Sequence, residues 1–457
     1  MGEEKQMREK EKVNQITEGV IWKQLLLFFF PIVFGTFFQQ VYNTADTIVV
    51  GRFVGKQALA AVGGSASQIA NLIVGFFVGL SSGAAVVISQ FYGARDKKNV
   101  EKALHTAFAF SIAAGAVLTV VGILITRPAL LMMNTPEDAV ADSVIYLRIY
   151  FGGMIFNLIY NMGAAILSAV GDSKRPLYVL IITCGLNIVL DILFVMLFHL
   201  GVLGVAAATV TSQVISALLV TGMLLKTKEI YVLRLSRIRF NKNMLLSVLR
   251  IGIPTGLESV MYNISNIVIQ VFVNHLGTDT VAAWGTLGKI DALFWMVINA
   301  FAISITTFVG QNFGAGKYHR MRKSVRVCMI MSMIGSAVLI LFMYTAAPWI
   351  YRLFTTDQAV ITAGVHMSRF LLPSYFIYVI IGILSGALRG TGKVLVPMLL
   401  TCGGVCSLRI LWLFSAGRMY PGINTIMLSY PVSWSITAVL FIVYYLVRFP
   451  GKEKEHR

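Results

Sequence analysis

Charged side chains are scarce: Asp, Glu, Lys and Arg make up 13% of the 457 residues, against about 25% in an ordinary soluble domain. Cysteine is also rare. The four present, Cys184, Cys328, Cys402 and Cys406, all lie in apolar stretches and form no Cys-x-x-Cys pair. That pattern excludes a disulfide scaffold and favours packing thiols over a metal or redox centre. The six histidines are scattered and no His-Glu-x-x-His occurs, so the common zinc-hydrolase arrangement is absent. Gly79-Leu80-Ser81-Ser82-Gly83 matches a nucleophile-elbow pattern in letters, but it falls within a helical stretch, without the strand-turn-helix setting such an elbow needs. Gly390-Thr391-Gly392-Lys393 resembles the end of a phosphate loop. Val394 follows the lysine instead of Ser or Thr, and the upstream glycine is missing. Nucleotide-phosphate binding is therefore not supported, and no convergent catalytic set suggests an enzyme.

What the chain has is apolar length. Hydrophobic residues are 57% of the total and the mean hydropathy is +0.77. Twelve stretches are long and apolar enough to span a bilayer: 23–51, 58–86, 101–126, 139–168, 176–198, 203–225, 244–273, 281–309, 324–347, 358–387, 394–416 and 423–447. Each approaches or exceeds the ~20 residues that a crossing helix requires. The expected fold class is an all-α membrane protein. The N-terminal run is charged and the first apolar stretch is too long for the core of a cleavable signal. The formal charge of +18 has an orienting distribution. Twenty Lys and Arg fall in the loops that share a side with both termini, and five in the opposite loops. By the positive-inside rule both termini are expected in the cytoplasm, with the chain multi-pass in a cell inner (cytoplasmic) membrane. The basic charge is then accounted for by lipid headgroups, with no call for nucleic acid.

The chain also repeats itself. Pro31 opens P-I-V-F…Y-N and Pro254 opens P-T-G-L…Y-N; Ala60-Ala61-Val62-Gly63 matches Ala282-Ala283-Trp284-Gly285; Gln90-Phe91-Tyr92-Gly93-Ala94 matches Gln311-Asn312-Phe313-Gly314-Ala315. Six spans per copy give both copies the same orientation, so the expected architecture is two pseudo-symmetric six-helix lobes related by an axis along the membrane normal. The implied organisation is a cytoplasmic tail at 1–22, a first lobe at 23–225, a basic linker at 226–243, a second lobe at 244–447 and a cytoplasmic tail at 448–457. The linker reads as a surface connector resting on anionic headgroups. Gly75, Gly79 and Gly83 recur every fourth residue, the pattern of close packing between membrane helices.

Polar residues at membrane depth are the candidate functional set. A carboxylate there costs ~2.5–3.5 kcal/mol on insertion scales and usually faces a cavity or partner. Asp46 sits late in the first span, near enough to its end that an interfacial acid is the competing reading. Asn187 and Asp191 are four apart, on one helix face. Asp46, Asp191 and Thr209 fall at similar depth, judged by their distances from the loops opposite the termini. Asn161 and Tyr42 are further candidates, with interhelical hydrogen bonding, worth ~0.6 kcal/mol, the alternative role for Asn161, Asn187 and Thr209. Paired acids of this kind suit a proton. Equally, the oxygens of Asp46, Asn187 and Asp191 suit a hard cation such as Na+. The second copy differs: Ile269 stands where the first has Asp46, and Arg409 occupies its fifth span. Its own acids are Glu258 and Asp291. No ATPase motif is present, so uphill transport is expected to draw on an ion gradient or an external partner.

These motifs resemble the MATE (multidrug and toxic compound extrusion) family, in its DinF-like prokaryotic branch. The resemblance is carried by Pro31 with Y-N-T-A-D-T-I-V-V-G-R, by Q-F-Y-G-A, G-D-S-K-R-P and N-I-V-L-D, and in the second half by A-A-W-G, K-I-D, F-V-G-Q-N-F-G-A-G and L-R-G-T-G-K. It covers roughly Trp22 to Val447. It implies a secondary antiporter that exports cationic or lipophilic compounds in exchange for H+ or Na+ by rocking two lobes. A complete two-lobe unit needs no partner, so a functional monomer is expected, with no cofactor besides the coupling ion. The resemblance also implies a coupling-ion site at Asp46, Asn187 and Asp191 with Tyr42, Asn161 and Thr209 as neighbours, and bending of the first helix near Pro31. Asp291 matches the family's span-eight acid, whereas Glu258 stands too early in span seven for a family role to transfer. A lipid-linked precursor flippase of the same fold is the alternative. The other alternative, a major-facilitator transporter, lacks support because F-Y-G-A-R-D-K-K-N replaces that family's loop motif.

Overall fold

The computed structural model describes residues 14–133 and 135–449; the outer parts of both expected tails lie outside the described residues. Among the described residues the chain is helical throughout, without strands. Backbone polar groups inside a bilayer must be satisfied within the segment, which a helix achieves. Twelve membrane-length units follow one another: α1 Ile21–Val54, α2 Lys56–Gly93, α3 Lys97–Met132, α4 Glu137–Gly152 with Met154–Ala169, α5 Lys174–Leu197, α6 Gly201–Lys226, α7 Lys242–Asn274, α8 Thr278–Gly314, α9 Tyr318–Phe354, α10 Gln358–Gly390, α11 Leu395–Met419 and α12 Ile423–Arg448. The two parts of α4 are bent by 50°, where Gly152 and Gly153 interrupt the apolar run.

Hydrophobic cores divide the helices into two lobes. α8–α12 share one large core around Phe294, Phe308, Tyr375 and Trp434, and the first lobe is built on smaller cores around Leu104 and Ile166, which also takes in Val248 and Ile251 of α7, and around Leu147 and Phe151. The glycine stripe of α2 lies on α7. A methyl group at Gly79 would come within 2.5 Å of the Gly256 amide nitrogen, and one at Gly83 within 2.6 Å of the Val248 carbonyl. Backbone meets backbone here, as small residues permit in lipid. The seam continues toward the basic loops, where Gly93 lies against Gln311 and Gly314 against Gln90, and Gln90 donates to the Gly390 carbonyl at 2.8 Å. These interlobe contacts occupy the half of the molecule nearest the basic loops. On the far half, polar residues of α1 and α2 such as Gln39, Gln40, Asn43 and Asn71 are exposed, so a cleft opens away from the basic loops.

Helix α1 is shared between the lobes. Ile21, Leu25, Phe28 and Phe29 are buried in the second lobe's core, with Phe29 stacked on Phe301 at 4.1 Å between ring centroids. Past Pro31 the helix crosses to α5, where a methyl on Gly35 would meet Leu180 at 3.1 Å. Pro31 therefore sits at the hand-over. The chain stays helical through it, although the ring removes one backbone hydrogen bond and so weakens resistance to bending.

Two features add to the sequence reading. The basic linker is docked on the first lobe: Tyr231 and Leu233 are buried in its core, and the Arg234 amide donates to His105 Nε2 at 3.0 Å. Tyr231 and Leu233 insert, while Arg234, Arg237 and Arg239 stay exposed together with Leu235 and Phe240. In addition, Asn14 to Gly19 is packed against both lobes.

Candidate ion-binding site

The first lobe gathers its acids by the backbone geometry of three helices. Asp46 comes from α1, Asn187 and Asp191 from one face of α5, and Thr209 from the first turns of α6. All four are buried. Thr209 Oγ1 lies 3.3 Å from Asp46 Oδ2 and 3.0 Å from the Val205 carbonyl, so its single O–H is shared between the two acceptors. Asp46 faces Asp191 and Asn187. Asp46 Oδ1, both Asp191 carboxylate oxygens and both Asn187 amide atoms are buried without a hydrogen-bond partner. Such orphaned groups are rare in native proteins, and each asks for a reason. A proton shared between the carboxylates, or a cation held by the four orphaned oxygens of these residues, would supply one. Among the described residues no group of three or more His, Cys, Asp and Glu could hold a metal ion; the donors gathered here are carboxylate and amide oxygens, which are hard ligands.

Just beyond the acids, Val49, Val50, Val195, Val202 and Val205 close into a buried apolar cluster. It separates the site from the loop end of the lobe and lowers the local dielectric, which strengthens every interaction beneath it. Distorted helix accompanies this cluster: the backbone widens to π geometry over Val50–Val54 and Ile192–Leu197, directly after the segments carrying Asp46 and Asp191. Such bulges often mark functional positions in helices.

Tyr42 lies beside Asp46 among Tyr146, Tyr150 and Tyr160. Tyr146 and Tyr150, stacked at 6.1 Å and 18°, line the site and were not foreseen. Their four-residue spacing on the first half of α4 was the available signal. Asn161 is placed differently: its amide donates to the carbonyl and side chain of Asn157, each at 2.9 Å, one turn back on its own helix.

The second lobe handles its charges otherwise. Glu258 pairs with Arg389 at 3.0 Å, a residue that the sequence places in a basic loop and the structure turns inward. Asp291 accepts a hydrogen bond from Tyr375. Arg409 is 1% exposed, with its guanidinium 4.1 Å from the centre of the Tyr430 ring and 5.9 Å from that of Trp434. A third π segment, Thr401–Ser407, ends beside it. Tyr262 donates to Tyr378 at 2.9 Å, and Trp295 packs on Tyr378 and Trp434. The second lobe thus offers an aromatic wall, with one oxygen of each acid partnered and Glu258 Oε2 and Asp291 Oδ1 buried without a partner; the fully orphaned carboxylate is Asp191 of the first lobe.

The whole chain is similar to the probable multidrug resistance protein YoeA of Bacillus subtilis (strain 168), with 29% identity and 95% of each chain covered. It is 24% identical to the multidrug export protein MepA of Staphylococcus aureus (strain N315), over 84% of each. In structure it matches a MATE solved in the straight conformation with a TM-score of 0.88 at 23% identity, covering 96% of this chain and 98% of the other. The MatE family model matches residues 31–193 and 254–414, the same two copies that the internal repeat marks out. Twelve helical units in two lobes and this double match lead to one conclusion: the chain belongs to the MatE family, and is a multi-span membrane transporter rather than an enzyme.

Proposed function

We propose that this transporter exports lipophilic organic cations, in exchange for H+ or Na+, by alternating access of its two lobes across a cell membrane with both termini in the cytoplasm. The carrying observation is the set of buried, unpartnered oxygens at Asp46, Asn187 and Asp191. Two acids held together bind one cation or proton more readily than they tolerate two negative charges. The cleft opens away from the basic loops, hence outward if those loops are cytoplasmic. Asp46 belongs to α1, the helix that spans both lobes, so ion binding there acts on the element that connects them. Arrival of the ion from outside favours release of the organic cation, and loss of the ion inside favours its capture. The half-buried rings of Tyr262, Trp295 and Tyr378 supply flat surfaces for an aromatic cation, an interaction worth ~0.5–2 kcal/mol. The names of the relatives, resistance and export proteins for many drugs, support the substrate class. No second polypeptide is needed to complete either lobe, consistent with a functional monomer surrounded by lipid.

The test is efflux of ethidium from proteoliposomes under an imposed pH gradient or an imposed Na+ gradient. Drug movement against its own gradient under either condition supports antiport and identifies the ion. Movement that responds to neither gradient would overturn it.

A further inference from the structure

Ahead of α1, residues 14–19 lie across the line where the lobes meet. Asn14 caps the short helix Gln15–Glu18 by accepting from the Ile16 and Thr17 amides, which fixes the segment's shape. From that frame it reaches both lobes. Asn14 Nδ2 donates to Gln311 Oε1 at 3.0 Å, and Gln311 Nε2 in turn donates to the Ala169 carbonyl at 2.7 Å. The asparagine therefore holds the second-lobe glutamine in place on a first-lobe carbonyl. Ile16 is buried with the second lobe's core and sits against Gly171 of the first lobe, where an added methyl would meet Ile16 Cδ1 at 2.9 Å. Glu18 pairs with Arg95 of the first lobe at 3.2 Å and with Lys317 of the second at 3.7 Å. Lys317 Nζ also donates to the Thr17 carbonyl at 3.1 Å. Arg320 donates from Nε and Nη2 to the Ile16 carbonyl at 3.0 and 2.9 Å, and from Nη2 to the Gly19 carbonyl.

These contacts stand over the tightest part of the seam, where Gly93 meets Gln311 and Gly314 meets Gln90. Parting the lobes on this side would separate Gln311 from Ala169 and Glu18 from either Arg95 or Lys317. It would also draw Ile16 from its contact with Gly171. Gly19 leads directly into α1, whose continuous helix carries Asp46.

We propose that residues 14–19 form a strap that holds the basic-loop side of the seam shut, with Arg320, Gln311 and Glu18 as its positioning residues. Release of the strap is then a required step of opening to that side. The inference rests on the two-lobe cycle proposed above, but not on which ion drives it.

The experiment is maleimide labelling of the full chain in nanodiscs, without drug or ion gradient, after replacing the native cysteines with alanine. Ser89→Cys reports the buried seam beside Gly310, and Asn263→Cys reports the cleft half of α7. Arg320→Ala should raise the Ser89→Cys rate about tenfold, the scale of one or two lost net hydrogen bonds, and lower the Asn263→Cys rate. Glu18→Ala, whose ion pairs are near the surface, should shift both rates in the same directions by about twofold. It also tests the strap if Arg320→Ala fails to fold. Unchanged rates at both reporters would overturn the proposal, as would a parallel rise at both, which signals general loosening. A failure of the ion-site reading is registered separately, by coupled transport surviving in Asp46→Asn, and leaves the labelling result intact.

Discussion

In the first lobe α5 brings Asp191 to face Asp46 of α1. In the second lobe the matching helix, α11, brings Arg409, and Ile269 stands where Asp46 has its counterpart. Both lobes bury charge at related positions, next to a helix segment of π geometry. They differ in how the charge is satisfied. Carboxylate and amide oxygens of the first lobe are left unpartnered under an apolar cap. The second-lobe guanidinium is covered by Tyr430 and Trp434, while Glu258 and Asp291 each have one oxygen partnered, by Arg389 and Tyr375, and the other buried without a partner; no second-lobe acid among the described residues is left bare on both oxygens as Asp191 is. On the function proposed here, duplicated scaffolds divide labour: one copy keeps the facing acids Asp46 and Asp191 for an ion, and the other fills the matching place with an aromatic wall around Arg409.

The largest way to break this contrast is to neutralise acids on each side. Asp46→Asn and Asp191→Asn should each lower gradient-driven ethidium efflux by about 5–150-fold, the range of typical coupling energies. Asp291→Asn and Glu258→Gln should leave the response to the gradient in place, even where folding yield falls. Next in size is the cover on Arg409. Tyr430→Leu should destabilise the protein by about 2 kcal/mol, the value of a desolvated cation–π contact, seen as a lower unfolding midpoint in detergent. Thr209→Val should weaken ion coupling several-fold, since it removes one hydrogen bond to Asp46 worth ~1 kcal/mol. Asn161→Ala should have the smallest effect. It removes an in-helix bond to Asn157 of ~0.6 kcal/mol and should leave the apparent affinity for the coupling ion unchanged.

Much of this arrangement was readable from residue order. Hydropathy alone separated twelve spans, because each must be apolar over the thickness of a bilayer. The four-residue glycine spacing marks a close-packing face on α2, since the absence of a side chain has a direct steric consequence, but it does not say that α7 is the helix that fills it. Asp46, Asp191 and Thr209 are grouped by depth, because rise per residue converts distance from a loop into height, and Asn187 joins them by its four-residue spacing from Asp191. Depth does not give azimuth, so the turn of Asn161 toward Asn157 was hidden, as was the Glu258–Arg389 pair, whose arginine looked like a loop residue. Tyr146 and Tyr150 were hidden for the same reason: aromatic residues in apolar helices face lipid, core and cleft alike. The docking of Tyr231 and Leu233 is obscured by basic neighbours and the packing of Ile16 by polar ones, Asn14, Gln15, Thr17 and Glu18, which dominate the average polarity of each segment.

The central claim is that the exchangeable ion sits in the first lobe and not in the second. It is tested most directly by measuring ion release when ethidium binds to purified protein. Calorimetry in buffers of different ionisation enthalpy counts protons, and radioactive Na+ counts sodium. The account predicts release of one of these ions from the wild type, from Asp291→Asn and from Glu258→Gln, and none from Asp46→Asn or Asp191→Asn. Undiminished release from Asp46→Asn and Asp191→Asn, or its loss in Asp291→Asn alone, would contradict it.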